Sequence, residues 1–203
     1  MMPGISIEVD GKRIALIDLT GMQVVDVSVH GALDIEPAAV LSAGGGHRCD
    51  GHWAHLTWIA EHALVPGESV SVRFHATCDI GDKGKTFEEL YPGEEPSTRS
   101  DFTISDDMAA EIRSRPQLHE AFLVQVGTST GHRVEATSDD RNTGFSFGLL
   151  WDNYHPDQLR IRLATHCLDN VLARTGSTEH LKTVLSIGDS ASFSYLFKKQ
   201  VIE

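Results

Sequence analysis

Three histidines and one cysteine lie within nine residues of this sequence: His47, Cys49, His52 and His55. Imidazole nitrogens and thiolates are common zinc ligands in proteins. The cluster lacks the Cys-x-x-Cys or His-Glu-x-x-His spacing of well-known zinc sites. If His52 and His55 share a strand, their rings also point to opposite faces. Zinc is therefore one hypothesis and ordinary surface or hydrogen-bonded histidines are the other. Further ligands could come from distant positions: His75, Cys78, His166 and Cys167.

A second candidate is Gly127-Thr128-Ser129-Thr130-Gly131, which has the Gly-x-Ser-x-Gly spelling of a nucleophile elbow. In hydrolases of that class, a helix follows the serine and helps to build the oxyanion site. Here the residues after Gly131 alternate as in a returning strand, Arg133 to Thr137. The sequence therefore favours a glycine-rich hairpin turn over a catalytic serine.

Paired acidic residues occur at four places: Glu88-Glu89, Glu94-Glu95, Asp106-Asp107 and Asp139-Asp140. Two carboxyl groups held across a cleft can hydrolyse glycosides. All four pairs fall in predicted loops or helix starts, where adjacent charges usually remain solvated or cap a helix. We interpret them as surface charge, and Asp139 to Gly144 as a turn.

The segment Trp151-Asp152-Asn153-Tyr154-His155 is polar, rich in aromatic residues and placed after a predicted strand. Exposed loops that combine these residue types often form recognition surfaces. The alternative is a loop whose Trp151 covers the hydrophobic core. These five residues are the candidate binding site.

Two-residue alternation of apolar and polar side chains dominates both ends of the chain, which is typical of half-buried strands. Clear examples are Ile5 to Val9, Val25 to Val29, Val70 to Phe74 and Leu159 to Leu163. Phe145 and Phe147 share one strand face and are expected in the core. His55 to Ile59 is predicted as a strand, although a helix face also fits. The triple glycine Gly44-Gly45-Gly46 is predicted to lie in a loop.

The chain changes character between about Asp79 and His119, where glycine and proline recur. Thr86 could begin a short helix, and Ser105 can cap another that continues through Arg113. A third short helix is predicted within His166 to Arg174. The region from about Asp79 to His119 is expected to connect two β-rich halves.

A nine-residue motif recurs after 121 residues (188 minus 67), at Leu64 to Val72 and at Leu185 to Phe193. Both copies have the form Leu-x-x-Gly-acid-Ser-x-Ser-apolar. Each half would then end with a turn followed by a strand. The recurrence indicates either a diverged internal repeat or chance agreement of common turn residues.

Three segments carry a resemblance: His55 to Ile59, Leu64 to Val70 and Gly84 to Leu90. Together they make the first ninety or so residues resemble small acidic bacterial proteins of uncharacterised function. The resemblance implies a bacterial β-rich protein. It transfers no catalytic residue.

The 203 residues include 17 Lys and Arg against 29 Asp and Glu, a net charge of −12. Binding to nucleic acid or to anionic membranes relies on basic surface, so both are disfavoured. The N-terminal residues lack the pattern of a signal peptide, and no apolar run is long enough for a membrane span. The three cysteines are too few and too dispersed for a disulfide framework. We therefore expect a soluble, cytoplasmic protein.

The predicted fold is mainly β, either a β-sandwich or two related antiparallel half-barrels, with one or two short connector helices. The predicted organisation is a β-rich half at 1–78, a connector at 79–118 and a second β-rich half at 119–203, packed as one unit. Exposed edge strands are a liability in such a design. A homodimer that covers them is therefore a reasonable hypothesis.

The leading functional hypothesis is a non-enzymatic module that binds a protein partner, as a regulator, neutraliser or adaptor. Acidic loops would steer a basic partner towards it. One alternative is a metal-binding protein or metal-dependent enzyme centred on His47 to His55, with zinc as the metal. Another is a sandwich that binds a small ligand such as a sugar or an acyl group. No cofactor is predicted for the leading hypothesis.

Overall fold

The computed structural model describes residues 2–49, 51–78, 80–95, 105–139, 142–173 and 175–199. The helices are α1 (Phe87–Leu90), α2 (Asp106–Ser114) and α3 (Leu168–Ala173). The strands are β1 (Met2–Val9), β2 (Lys12–Asp18), β3 (Met22–Ala32), β4 (Ala39–Cys49), β5 (His52–Ala63), β6 (Ser69–Cys78), β7 (His119–Thr128), β8 (Arg133–Thr137), β9 (Gly144–Asp152), β10 (Gln158–His166), β11 (Thr178–Ser186) and β12 (Ser190–Lys199).

These strands form two antiparallel sheets of six strands each. Sheet I has the order β2-β1-β6-β12-β7-β8, and sheet II has the order β11-β10-β9-β3-β4-β5. Within the described ranges the sheets do not close into a barrel. The mainly-β, sandwich-like prediction is therefore confirmed.

The alternating pattern of the strands builds the core between the sheets, because successive side chains point to opposite faces. Val25, Val27 and Val29 of β3 are at most 1% exposed. Aromatic rings fill the centre, where Phe145 and Phe147 of β9 pack against Phe193 of β12 at centroid distances of 5.8 and 5.1 Å. The predicted core position of Phe145 and Phe147 is confirmed.

The two halves of the chain have the same topology. Exchanging β1 to β6 with β7 to β12 leaves both strand orders unchanged. In sheet I, the two halves meet along β6 and β12, where Ser71 pairs with Ser192, its counterpart 121 residues later. Sheet II is joined in the same way through β3 and β9.

The recurring motif also forms the same turn in both halves. Gly67 and Gly188 have φ angles of 97° and 96°, a left-handed conformation that favours glycine. The acidic residue that follows accepts a backbone N–H bond from three residues earlier, at 2.7 Å for Glu68 and 2.9 Å for Asp189. Descent of the halves from one duplicated unit stays a prediction, which this symmetry supports.

The segment after β6 bridges an edge of each sheet. Asp82 exchanges hydrogen bonds with Leu16 of β2, and Lys85 pairs with Thr57 of β5. A capping box formed by Thr86 and Glu89 then begins α1, as predicted. Ser105 caps α2, and α3 lies within its predicted range. These contacts cover parts of β2 and β5. At the opposite edge, β11 pairs only with β10 among the described strands.

Candidate functional site

The two clusters singled out in the sequence, His47 to His55 and Trp151 to His155, meet at one end of sheet II. Val24 of β3 pairs with Asp152 on one side and with Gly46 on the other, and Gly46 pairs with His55. Two inter-strand spacings, about 10 Å, therefore separate Asp152 from Gly46. We call this the hairpin end, since it holds the β4–β5 and β9–β10 connections.

Asp152 organises the β9–β10 turn. Its Oδ1 accepts hydrogen bonds from the backbone N–H groups of Tyr154 and His155, at 3.1 and 3.0 Å, and lies 3.2 Å from His155 Nδ1. Its Oδ2 accepts a bond from Arg160. Burial alone would raise the pKa of Asp152, but the hydrogen bonds from His155 and the Arg160 and His155 charges lower it overall. The carboxylate therefore holds the turn in one conformation.

The turn presents Tyr154 to solvent and withdraws Trp151 from it. Tyr154 is 86% exposed, whereas Trp151 is 3% exposed and donates its indole N–H to the carbonyl of Pro156 at 3.1 Å. Trp151 thus covers the core, as the structural alternative for this segment predicted. Asn153 and His155 are also exposed. The accessible part of the predicted binding segment runs from Asn153 to His155.

A cavity of about 520 Å³ opens beside this turn, at the end of the sandwich. Side chains of both sheets and of the β2–β3 turn line it, and most of them are apolar. Its lining residues are Pro3, Leu19, Gly21, Met22, Gln23, Arg48, Trp151, Asn153 and Pro156. No local motif in the sequence marks Pro3, Leu19 or Gln23, because their position at the cavity depends on sheet packing. We call this the end cavity.

The predicted loop at Gly44-Gly45-Gly46 is wrong, since these residues lie inside β4. A Cβ on Gly46 would lie 2.5 Å from Cε2 of Trp53, and one on Gly44 would lie 2.9 Å from Nε2 of His55. The missing side chains therefore let the Trp53 and His55 rings lie against the strand. Glycine was interpreted from its intrinsic flexibility, whereas here close packing explains it.

The hypothetical zinc ligands are distributed along β4 and β5. Because β5 is a strand, His52 and His55 point to opposite faces. His47 Nδ1 is buried without a hydrogen-bond partner. The side chain of Cys49 lies outside the described residues. In the described part of the chain, no group of three or more His, Cys, Asp or Glu residues is placed to hold a metal ion.

A polar cluster adjoins the Trp53 and His55 rings on the outer face of sheet II. Asp26 of β3 pairs across the sheet with Gly44, the residue beneath the His55 ring. Burial raises the pKa of Asp26, opposed by the His55 and His30 charges. Burial also lowers the pKa of His30, opposed by Asp26. Ser28 and Ser42 share a hydroxyl hydrogen bond of 2.9 Å between them. No motif in the sequence singles out Asp26.

Ser129 lies in the β7–β8 hairpin, so the predicted turn is confirmed. Its hydroxyl donates to Asp189 Oδ1 at 3.0 Å and accepts from the backbone N–H of Ser190 at 3.0 Å. These bonds join the hairpin to β12. A strand rather than a helix follows, so the elbow geometry is absent at this serine.

A Ser–His pair that sequence analysis missed lies on the outer face of sheet I. Ser6 Oγ is 2.7 Å from His75 Nε2, on neighbouring strands β1 and β6. Both line a cavity of about 440 Å³ together with Glu8 and Arg13. Burial and the Arg73 charge lower the pKa of His75, opposed by Glu8. A neutral imidazole can accept the serine proton, which is the first requirement of a nucleophilic pair.

The acidic pairs serve the roles expected of surface charge where they are described. Glu88 and Glu89 lie in the first turn of α1, and Asp106 and Asp107 lie in the first turn of α2. Glu94 and Glu95 are exposed. Asp139 forms a turn with Asn142, and Asp140 lies outside the described residues.

No helix in the described ranges has the length and apolar content required to cross a membrane. Comparison of the chain with protein-family models, with curated proteins and with solved structures finds no match in any of the three.

Proposed function

We propose that this protein is a non-enzymatic binding module that recognises a protein partner through the turn at Asn153 to His155 and the adjoining end cavity. The observation that carries the proposal is Tyr154, an aromatic side chain that is 86% exposed on a turn that Asp152 holds in place. Tyrosine is enriched among residues that dominate the energy of protein interfaces.

The fixed turn favours tight binding. A loop that is already ordered loses less conformational entropy when a partner binds. Asp152 accepts bonds from two backbone groups and from Arg160, so the turn is ordered before any encounter. Tyr154 adds a rigid side chain with few rotatable bonds.

The end cavity offers a place for an anchoring side chain of the partner. Its volume of about 520 Å³ exceeds the space that one large side chain needs, and Leu19, Met22 and Trp151 give it apolar walls. Burial of an apolar anchor in such a pocket is a common source of interface affinity. Arg48 at the lining supplies a polar contact.

The charge of the chain favours a basic partner. A net charge of −12 attracts positively charged proteins over long range and accelerates their association. Salt screens this attraction, so association should weaken as ionic strength rises. A cytoplasmic regulator or neutraliser in a bacterium, acting on a basic protein, fits this chemistry.

The test is affinity capture from an extract of the native host with three baits: wild type, Tyr154→Ala and Tyr91→Ala. Tyr91 is also exposed, at 42%, but follows α1 and is not part of the hairpin end. We expect a basic protein to be retained by wild type and Tyr91→Ala, to be lost with Tyr154→Ala, and to elute at high salt. Equal capture by all three baits would contradict the proposed surface.

The non-enzymatic part of the proposal has its own test, because Ser6 and His75 resemble a nucleophilic pair. Incubation with a fluorophosphonate probe, followed by peptide mass spectrometry, should leave both Ser6 and Ser129 unlabelled. Stoichiometric labelling of Ser6 that is lost in His75→Ala would instead indicate a serine-dependent enzyme.

A further inference from the structure

Trp53 is unusual among the aromatic residues of the sheets, because its ring lies against a bare strand and remains 57% exposed. The contact with Gly46 covers part of the indole. Aromatic residues of β9 and β12 are instead packed between the sheets. Trp53 therefore offers an open aromatic surface on sheet II.

Strand β4, which lies beneath the Trp53 ring, contains glycines, and glycine weakens strands. Glycine within a strand provides no side chain to pack and loses more conformational entropy than other residues on folding. Gly44 and Gly46 are required by the present positions of His55 and Trp53, since a Cβ at either would collide with a ring. By contrast, a Cβ on Gly148, on the same outer face, would meet no atom within 4 Å. Gly44 and Gly46 therefore leave the space that the His55 and Trp53 rings occupy.

The two rings lie in line. Trp53 and His55 are two residues apart on β5, so both point away from the core, with their Cα atoms about 6.7 Å apart. Sugar rings in an extended chain can stack successively on such a row, because each pyranose has an apolar face of C–H groups. The two exposed rings follow the direction of the strand, which suits an extended chain better than a single compact molecule.

Hydrogen-bonding groups adjoin this aromatic row. The Asp26 carboxylate lies next to Gly44 across the β3–β4 pairing. The Ser28 and Ser42 hydroxyls lie two residues further along β3 and β4, on the same outer face. Carboxylates accept bonds from sugar hydroxyls, and serine hydroxyls both donate and accept. The net charge of −12 disfavours acidic polysaccharides through like-charge repulsion.

We propose that the outer face of sheet II around Trp53, His55 and Asp26 binds an uncharged, extended oligosaccharide of pyranose units. One sugar ring stacks on the exposed face of the Trp53 indole, and the hydroxyls of its neighbour contact Asp26 and His55. Trp53, His55 and Asp26 do not line the end cavity, although Arg48, which does, pairs with Trp53 across the strands. Oligosaccharide binding and protein-partner binding can therefore succeed or fail independently.

The experiment titrates purified full-length protein with two probes, the β-1,4-linked hexasaccharides of glucose and of N-acetylglucosamine, by isothermal titration calorimetry. The variants are Trp53→Ala, Gly46→Ala and the control Gly148→Ala. We expect wild type to bind at least one probe, and Trp53→Ala to lose about tenfold or more in affinity with the stacking contact. Gly46→Ala should weaken binding because its methyl group displaces the indole, and Gly148→Ala should bind as wild type does.

Thermal unfolding of each variant confirms that it is folded, so a loss of binding can be assigned to the surface. Gly46→Ala is the decisive variant, because it alters the position of the indole without removing any group proposed to contact the sugar. Failure of wild type to bind either hexasaccharide would overturn the proposal. Binding that is unchanged in either Trp53→Ala or Gly46→Ala would overturn it as well.

Discussion

The outer face of sheet II differs between the two halves of the chain, although β4–β5 and β10–β11 occupy equivalent places. On β4, Gly44 and Gly46 leave room for the rings of His55 and Trp53. On β10, Arg162 donates to Glu179 at 3.1 Å and to Ser177 at 2.8 Å. One half therefore has exposed aromatic rings packed on glycines where the other has an exposed ion pair.

This difference distinguishes features that contribute to the stability of the fold from features that do not. Exposed ion pairs contribute little to stability and are common on solvated sheets. Adjacent glycines in a central part of a strand cost stability, about 0.5–1 kcal/mol each relative to alanine. The first half thus has glycines at the positions where the His55 and Trp53 rings lie, as the proposed oligosaccharide site requires.

The largest expected effect concerns the glycine that faces inwards. A Cβ on Gly45 would lie 2.7 Å from the carbonyl oxygen of Val24 and 2.8 Å from Met22. Gly45→Val should therefore lower the free energy of unfolding by about 3 kcal/mol through overpacking. Chemical denaturation measures the change. Gly148→Val is the control and should be neutral or slightly stabilising, since its Cβ meets open space. Equal losses in both variants would contradict the distinction between the two strands.

Asp152→Ala should have the next largest effect, about 2 kcal/mol, because it removes an acceptor shared by two backbone N–H groups and Arg160. The exposed Asp157 of the same turn supplies the control variant Asp157→Ala, which should be nearly neutral. Denaturation at pH 7 measures both. A neutral Asp152→Ala would show that the turn does not depend on this carboxylate.

The comparison of wild type with Asp152→Ala also predicts a pH dependence of stability. Folding lowers the pKa of Asp152 below its ordinary value of 3.8, so its stabilising effect is present above that value. The effect is lost as the pH falls from about 4 through the lower pKa of the folded state. The stability gap between wild type and Asp152→Ala should therefore narrow below pH 4. A gap that widens on acidification would contradict this assignment.

Arg162→Ala tests the second half of the comparison. Arg162 and Glu179 have side chains 53% and 41% exposed, so the loss should be about 0.5 kcal/mol or less. The measurement is urea denaturation at low and at high salt, and the small difference should shrink at high salt. A loss of several kcal/mol in the free energy of unfolding would mean that the ion pair, rather than backbone pairing with β10, holds β11 in place.

Asp26→Asn should have the smallest effect and the opposite sign. Partial burial raises the pKa of Asp26 above its ordinary value of 3.8, so its charge begins to oppose folding above that pH, and the cost is complete above the pKa of the folded state. Because Asp26 is also solvent-exposed, screening limits the expected gain at pH 7 to about a few tenths of a kcal/mol. The gain should disappear below pH 3, where the carboxyl group is protonated. Destabilisation at neutral pH would contradict the proposed cost of this charge.

Much of the fold follows from local patterns in the sequence. Alternation at Val25 to Val29 and at Leu159 to Leu163 predicts strands, and the strands are found there. Capping residues Thr86 and Ser105 predict two helix starts. These signals are local, because backbone hydrogen bonding and burial of one strand face act within a few residues.

The candidate site could be predicted only in part. Trp151 to His155 were singled out as a polar, aromatic-rich loop. Asn153 to His155 are exposed as expected, whereas Trp151 is buried. The meeting of this turn with Arg48 at the end cavity depends on the β9-β3-β4 strand order, which no local pattern encodes. The role of Gly44 and Gly46 was missed because the rings that lie against them come from the next strand, β5.

The most direct test of the central claim, that the turn beside the end cavity is the recognition surface, is site-specific photo-crosslinking in the native host. A photoreactive phenylalanine analogue replaces Tyr154 in one strain and Tyr91 in another. We predict that position 154 crosslinks to one dominant protein and that position 91 does not crosslink to that protein. Crosslinks of equal yield to the same proteins from both positions, or none from position 154, would contradict the claim.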